Sequence, residues 1–191
     1  DRFAISESQI TVLKEVLPYW KGRTLRDKVQ GCLPPEVKEM LAFGIFGNEN
    51  FTMSAPGHMI PDHETVLKKG LIGIRADCEG AVKRLRPDDL DYGPRYNLYT
   101  ACATVCTALI RFAERYAERA RELAQAETDD ARRKELLQIS ENCLRVPAHP
   151  AENFWEAMQC IYFIQVGMMI EGNGLAISLG RPDQTLFSYY E

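Results

Sequence analysis

Residues 171–184, EGNGLAISLGRPDQ, decide the fold, because a long apolar helix ends here and gives way to a short apolar segment. Gly172 and Gly174 predict the end of the helix, and Asn173 between them tolerates the left-handed backbone of a tight turn. The apolar residues that follow predict a short strand. Irregular segments beside regular elements often carry binding residues, so the sequence places a candidate site at this junction.

The helix before this junction is predicted from Asn153 to Ile170 and is apolar on nearly all sides. Such a helix is typical of the interior of a large protein, because no face is left for water. A domain of 191 residues would have difficulty covering it alone. The pattern therefore indicates burial within a larger protein.

The rest of the sequence predicts helices joined by short turns. Ser6 and Gln9 form a capping box at the start of the first helix, which Pro18 and Gly22 close. Thr24 then starts a short helix. Further helices are predicted from Pro35 and over residues 62–86, 96–126 and 130–144, the last two as an antiparallel hairpin. We expect a mostly α-helical fold with few short strands, in which residues 1–191 form a single unit.

A second irregular segment lies between Ile45 and Pro61, where the helical pattern breaks into Ser54-Ala55-Pro56-Gly57-His58. His58 is its candidate functional residue, because an imidazole can donate or accept a hydrogen bond. A loop histidine can equally cap a turn or lie free on the surface. His63 and His149 are interpreted as residues that satisfy contacts at a helix start and in a turn.

Composition excludes some classes of function. The net charge of −4, from 23 basic and 27 acidic side chains, offers no basic face for nucleic acid. The longest nearly apolar run, from Ile161 to Ile170 and interrupted by Gln165, is too short to span a membrane, which needs about 20 apolar residues. No secretory signal is visible at Asp1 to Ala4.

The six cysteines do not form a recognisable metal or disulfide pattern. Cys102 and Cys106 lie four residues apart and can share a helix face, but no matching cysteine or histidine pair accompanies them. We predict ordinary reduced thiols, no bound metal and a cytoplasmic location.

Five segments, in the expected order, resemble the glycyl radical enzyme superfamily of pyruvate formate-lyase and glycerol dehydratase. They are Pro56-Gly57-His58 with Ile60-Pro61-Asp62, residues 66–71 (VLKKGL), residues 145–151 (RVPAHPA), residues 154–159 (FWEAMQ), and residues 171–174 with 180–184. The resemblance implies part of an α/β barrel of ten strands wrapped in helices. It implies that the chain is only an N-terminal portion of that barrel.

Enzymes of this superfamily store a radical on a glycine and pass it to a cysteine, whose thiyl radical abstracts hydrogen from the substrate. Neither a Cys-x-Glu loop nor an Arg-Val-x-Gly-Tyr-like glycine motif is present here, so no catalytic residue is assigned and the portion alone is expected to be inactive. The resemblance implies a glycyl radical elsewhere in the parent, no other bound cofactor, a radical S-adenosylmethionine activase as partner, and a homodimer.

The resemblance also suggests which residues line the substrate pocket. His58 matches the pocket histidine of glycerol dehydratase-like members. The turn of Asn173, Gly174, Leu175 and Ala176 matches a segment that reads Asn-Gly-His-Ser in those members. Here two apolar side chains replace polar ones, which removes hydrogen-bond partners for a small diol and favours a bulkier or partly apolar substrate.

Three further residues are predicted to shape the site: Gly57 beside the pocket histidine, and the charged pair Arg181 and Asp183 at the exit of the predicted strand. The leading function is a glycyl radical lyase, dehydratase or decarboxylase acting on a small organic molecule. One alternative is a truncated helical module for self-association or protein binding. Another is formate C-acetyltransferase, which fits the glycerol dehydratase-like segments less well.

Overall fold

The computed structural model describes residues 4–44, 58–172 and 176–190. The chain divides into two compact units. One comprises Asp1–Gly57 with Gly172–Leu175, and the other comprises His58–Glu171 with Ala176–Glu191. The expectation of one unit over residues 1–191 stays a prediction.

The first unit contains three short helices whose ends follow local sequence signals. They are α1 (Glu7–Trp20), α2 (Leu25–Cys32) and α3 (Pro35–Ala42). Ser6 and Gln9 form the predicted capping box, and the Thr24 side chain accepts a hydrogen bond from the Asp27 amide. Pro18 lies inside α1 rather than ending it, so that expectation was wrong. The helix runs on to Trp20, and Gly22 follows in a left-handed conformation.

The second unit contains the long helices. They are α4 (His63–Arg84), α5 (Tyr92–Ala126), α6 (Asp130–Arg145) and α7 (Phe154–Gly172), followed by the short α8 (Pro182–Thr185) and α9 (Phe187–Tyr190). Helices α5 and α6 pack together as a hairpin, as predicted, and the buried Ser140 hydroxyl donates to the Ala117 carbonyl across it at 2.8 Å. Asp129 caps α6 through the Ala131 amide.

Helix α4 is interrupted at Gly70, whose φ of 67° and ψ of 163° are not helical. The break frees backbone groups that pair with the turn after α6: the Leu71 amide donates to the Pro147 carbonyl at 2.8 Å, and the Ala151 amide donates to the Leu67 carbonyl at 3.0 Å. A side chain at Gly70 would collide with that turn, since a Cβ would lie 2.6 Å from the carbonyl carbon of His149. The close packing therefore requires glycine.

Helix α7 contributes to each of three buried apolar clusters. Cys160 and Ile161 pack with Leu67 and Val146, Phe163 packs in the second cluster, and Ile164 packs in the third. The opposite side of the helix stays open: Trp155, Met158, Tyr162 and Met169 are 47%, 42%, 61% and 53% exposed. One face of α7 therefore organises this unit, and the other is an uncovered apolar surface.

The predicted mostly helical character is confirmed, but the expected short strands are not found among the described residues. Residues 176–180 are irregular, and among the described residues one backbone hydrogen bond, from Ser178 to Met59, joins them to another segment. A strand needs a ladder of such bonds, so these residues do not form one here. Among the described residues, no helix combines the length and apolar character needed to cross a bilayer.

Candidate functional site

Two predicted site segments, far apart in the sequence, lie beside each other. The amide of Ser178 donates to the carbonyl oxygen of Met59 at 2.9 Å. Two residues further on, Gly180 lies so close that a Cβ there would be 2.9 Å from Cγ2 of Ile60. The structure therefore brings the segment after His58 against the segment after Ala176.

Each segment begins with a residue in the left-handed region of backbone space. His58 has a φ of 60° and Ala176 a φ of 55°, and no other non-glycine residue in the described ranges has a positive φ. For an ordinary L-residue this conformation costs roughly 1–2 kcal/mol. Such strain persists only where surrounding contacts impose it, and it is common at binding sites. Both residues were candidates from sequence.

Helix α7 holds the second segment through the side chain of Gln165. Its Nε2 donates to the Ile177 carbonyl at 3.0 Å. That carbonyl and the Ser178 amide belong to one peptide group, so its oxygen is held by α7 and its N–H by Met59. The single peptide is thereby fixed from both ends, one residue beyond Ala176.

The side chains presented here differ in polarity. His58 is exposed, and its imidazole has no hydrogen-bond partner among the described residues. A neutral imidazole offers one donor and one acceptor. Ala176 is exposed and offers neither, and Leu179 nearby is 45% exposed. The segment pair thus presents the His58 imidazole and the Ser178 hydroxyl, whose oxygen accepts from the Gly180 amide at 3.2 Å, beside apolar side chains.

Arg181 and Asp183 form a two-pronged ion pair at the start of α8. Nε of Arg181 donates to Oδ1 of Asp183 at 3.0 Å, and Nη2 donates to Oδ2 at 2.7 Å. The hydrogen bond from Arg181 lowers the pKa of Asp183, and the same bond raises the pKa of Arg181. Both side chains are exposed, so the ion pair is solvated at the start of α8.

Four predicted site residues lie outside the described residues: Gly57, Asn173, Gly174 and Leu175. Of the others, His58 and Ala176 begin segments that the structure joins, and Arg181 and Asp183 follow the second segment. The pocket-lining and architectural roles of the whole set stay predictions.

His63 differs from its interpretation as a residue satisfying helix-start contacts. Asp62 caps α4 instead, accepting from the Thr65 amide at 3.0 Å. The imidazole of His63 is only 3% exposed, and neither ring nitrogen has a hydrogen-bond partner among the described residues. Burial lowers its pKa, against a smaller opposing effect of Asp62. His63 is therefore a buried neutral histidine.

The buried cysteines are protonated thiols. Burial raises the pKa of Cys143 to about 11 and that of Cys160 to about 12. Neither is a thiolate at neutral pH, so neither has the activation that nucleophilic chemistry requires. Within the described ranges, no group of three or more histidine, cysteine and acidic residues is arranged to hold a metal ion.

Sequence reasoning missed the role of Gln165, although a signal was present. Gln165 is the one polar side chain in the apolar run from Ile161 to Ile170. A polar group on a mostly buried helix needs a partner, and here the partner is the Ile177 carbonyl. The isolated amide could therefore have been matched to the irregular segment that follows the helix.

Comparisons with known proteins agree on one family. The sequence model described as "Pyruvate formate lyase-like" matches residues 1–191. The chain is 38% identical to a probable dehydratase, YbiW, of Escherichia coli (strain K12), over 98% of this chain and 23% of that protein. It is also 38% identical to trans-4-hydroxy-L-proline dehydratase of Clostridioides difficile, over 99% of this chain and 24% of that protein.

A solved structure supports the same similarity. The glycerol-bound, B12-independent glycerol dehydratase of Clostridium butyricum superposes with a TM-score of 0.78 at 32% identity, covering 98% of this chain and 24% of that one. The chain thus spans about a quarter of the length of the relatives it matches.

Proposed function

Because the chain belongs to the pyruvate formate lyase-like family of glycyl radical enzymes, we propose that it is one portion of a lyase, dehydratase or decarboxylase. The complete enzyme would act on a small organic molecule by thiyl-radical hydrogen abstraction. The radical chemistry would be supplied by a glycine and a cysteine in the part of the protein beyond this chain. This portion would supply side chains to the substrate pocket and would be inactive alone.

The observation that carries this proposal is the hydrogen bond between Ser178 and Met59. It joins the Pro-Gly-His segment to the segment after the Asn-Gly turn, the two places that the family resemblance assigns to the pocket. Strain at His58 and Ala176, one on each segment, supports the same assignment.

In this proposal His58 binds a polar group of the substrate. Its exposed imidazole is free to donate or accept without breaking an existing contact with a described residue. Ala176 offers a methyl group where glycerol dehydratase-like members have a hydroxyl, and Leu175 adds a second apolar side chain. A substrate with one recognised polar group and an apolar or ring-shaped body fits better than a small polyol, whose other hydroxyls would be buried unpaired.

The complete enzyme would be a cytoplasmic homodimer, would contain the α/β barrel and would take its radical from a radical S-adenosylmethionine activase. Residues 176–180 would gain hydrogen-bonding neighbours there and become a barrel strand. The apolar side of α7 would be covered by the remainder of the enzyme.

The first experiment is to sequence the parent reading frame past Glu191. A Cys-x-Glu loop and a later Arg-Val-x-Gly-Tyr-like motif would support the enzyme. Adjacent cysteines would instead favour formate C-acetyltransferase. A stop codon soon after Glu191 would favour a helical module for self-association, for which the exposed apolar side chains of α7 are the supporting observation.

The second experiment is His58→Ala in the complete enzyme, activated anaerobically and assayed with glycerol and with trans-4-hydroxy-L-proline. We expect a raised KM or a lowered kcat while the glycyl radical signal in electron paramagnetic resonance is unchanged. His149→Ala is the matched control, since it removes another exposed imidazole from the turn beside Gly70. Equal kinetics for His58→Ala and the unmodified enzyme would remove His58 from the pocket.

A further inference from the structure

Within the described part of the chain, Gln165 is the one residue of another element whose side chain hydrogen-bonds to the backbone of residues 176–180. The residue lies about two helical turns before the end of α7, so the chain after the helix returns alongside it by roughly 10 Å. The Ile177 carbonyl then meets Nε2 at 3.0 Å. The backbone amides in the interior of α7 are engaged within the helix, so only a long side chain can make this contact.

The chemistry of the contact requires an amide rather than a carboxylate. A carbonyl oxygen accepts hydrogen bonds, so the atom facing it must be the nitrogen of the side chain. Oε1 of Gln165 is buried and has no partner among the described residues. A glutamate would place an oxygen against the Ile177 oxygen, and an asparagine would be one methylene too short to reach it.

The contact controls more than one atom pair. The Ile177–Ser178 peptide is rigid and planar, so its orientation is set once its oxygen and its N–H are both held. Gln165 holds the oxygen, and Met59 holds the N–H. Ala176, strained at a φ of 55°, is the residue immediately before Ile177. Release of the oxygen would let the peptide rotate and let Ala176 relax.

We propose that Gln165 is a positioning residue, which fixes Ala176 and the Ile177–Ser178 peptide against the segment that begins at His58. This inference rests on the proposed function for its catalytic consequence, because the two segments form the proposed pocket. A displacement of a pocket wall by about 1 Å is enough to slow a positioned reaction by roughly a hundredfold. Gln165 would therefore affect turnover without touching the substrate.

The fixing of the Ile177–Ser178 peptide by Gln165 is tested on the 191-residue chain by hydrogen exchange, with fragmentation that isolates the Ser178 amide. Gln165→Met keeps the length of the side chain and removes its donor, and Gln165→Glu replaces the donor with an acceptor. We expect the Ser178 amide to exchange at least tenfold faster in both variants. Gln159→Met is the matched control, since Gln159 is a half-buried residue of the same helix whose side chain makes no hydrogen bond to a described residue.

If the Ser178 amide exchanges at the same rate in Gln165→Met as in the unmodified chain, Gln165 does not fix the Ile177–Ser178 peptide and the proposal is overturned. An equal acceleration in Gln159→Met would also overturn it, because the effect would then be a general loosening of α7. A melting temperature that stays within a few degrees of the unmodified chain, together with fast exchange confined to residues 176–180, would support it.

The catalytic consequence is tested in the complete activated enzyme with glycerol and trans-4-hydroxy-L-proline as probes. We expect Gln165→Met to lower kcat at least tenfold with an unchanged radical signal, and Gln159→Met to leave kcat unchanged. A kcat in Gln165→Met equal to that of the unmodified enzyme would overturn the positioning role. If the unmodified enzyme shows no glycyl radical signal after activation, the proposed function is overturned instead. The hydrogen-exchange result would still decide whether Gln165 fixes the Ile177–Ser178 peptide.

Discussion

The amide of Ser178 and the carbonyl of Met59, 2.9 Å apart, are the backbone link between the two segments of the candidate site. A Cβ at Gly180 would lie 2.9 Å from Cγ2 of Ile60, so the Ile60 side chain would have to move to admit one. Gly180 also has a φ of 70°, which disfavours any other residue. Both the backbone conformation and the contact with Ile60 therefore favour glycine at 180.

We expect Gly180→Ala to separate the two segments and to accelerate exchange of the Ser178 amide tenfold or more. Gly22→Ala is a matched control, because Gly22 has a φ of 76° but nothing within 4 Å of the added carbon. Ile60→Ala in the Gly180→Ala background removes the collision and should restore part of the protection. Slow exchange at Ser178 in Gly180→Ala would show that the pairing tolerates a side chain there.

Gly70→Ala should destabilise the chain far more than an ordinary glycine substitution. The added carbon would lie within 2.7 Å of backbone atoms of Ala148 and His149, which cannot swing aside as a side chain can. We expect a loss of about 3 kcal/mol or more in the free energy of unfolding, from overpacking and backbone strain together. Urea denaturation followed by circular dichroism measures it.

Gly44→Ala provides the comparison for Gly70→Ala. Gly44 has a similar φ of 70° and open space around the added carbon, so only the backbone cost of about 1–2 kcal/mol remains. Equal losses for the two variants would mean that the turn after α6 yields and that the packing at Gly70 is loose.

Local signals made most of the helices predictable. Ser6, Thr24 and Asp129 act as caps because a cap depends on the few residues that follow it. The break at Gly70 was less visible. A glycine inside a helical pattern is compatible with close packing or a bend, but the packing partner of Gly70 is a turn far along the chain, and the helical period continues on both sides.

The site was predictable only in part for the same reason. His58 and Ala176 stood out in irregular segments, whereas the contact between Met59 and Ser178 joins backbone atoms and leaves no mark in side-chain composition. The strand failed as a prediction because a strand depends on its neighbours. Residues 176–180 have the apolar pattern of a strand, but one backbone hydrogen bond to another segment does not make the ladder that a strand requires.

His63 should make stability depend on pH. Burial lowers its pKa below the ordinary 6.5, so between those two pKa values the unfolded chain binds a proton that the folded chain does not. The stability contributed by neutral His63 is thus present above pH 6.5 and is lost as the pH falls below it. We expect His63→Leu to flatten this part of the stability profile, measured by urea denaturation between pH 7.5 and 5. An equal slope in both proteins would assign it to other groups.

Glu156 should contribute more to stability than the exposed ion pairs. Its side chain is 10% exposed, lies 3.2 Å from Nε of Arg145, and accepts from the Glu152 amide at 2.7 Å. Glu156→Ala removes the carboxylate that pairs with Arg145 and accepts from the Glu152 amide. We expect this loss to cost about 1–3 kcal/mol in the free energy of unfolding. Glu135→Ala, which breaks an exposed pair with Arg132, should cost less than about 0.5 kcal/mol. Similar costs would place Glu156 among the solvated pairs.

The uncovered side of α7 should make the isolated chain self-associate. Tyr162 and Met169 are more than half exposed on this side, and monomeric proteins rarely leave large apolar surfaces open. Light scattering during size exclusion should therefore give a mass above that of one chain, rising with concentration. Tyr162→Lys with Met169→Lys should shift it toward the monomer. Leu90→Lys, which alters a fully exposed leucine outside α7, should not. A monodisperse monomer with a sharp melt would show that this side of α7 needs no cover, which would also weaken the inference that a larger protein buries it.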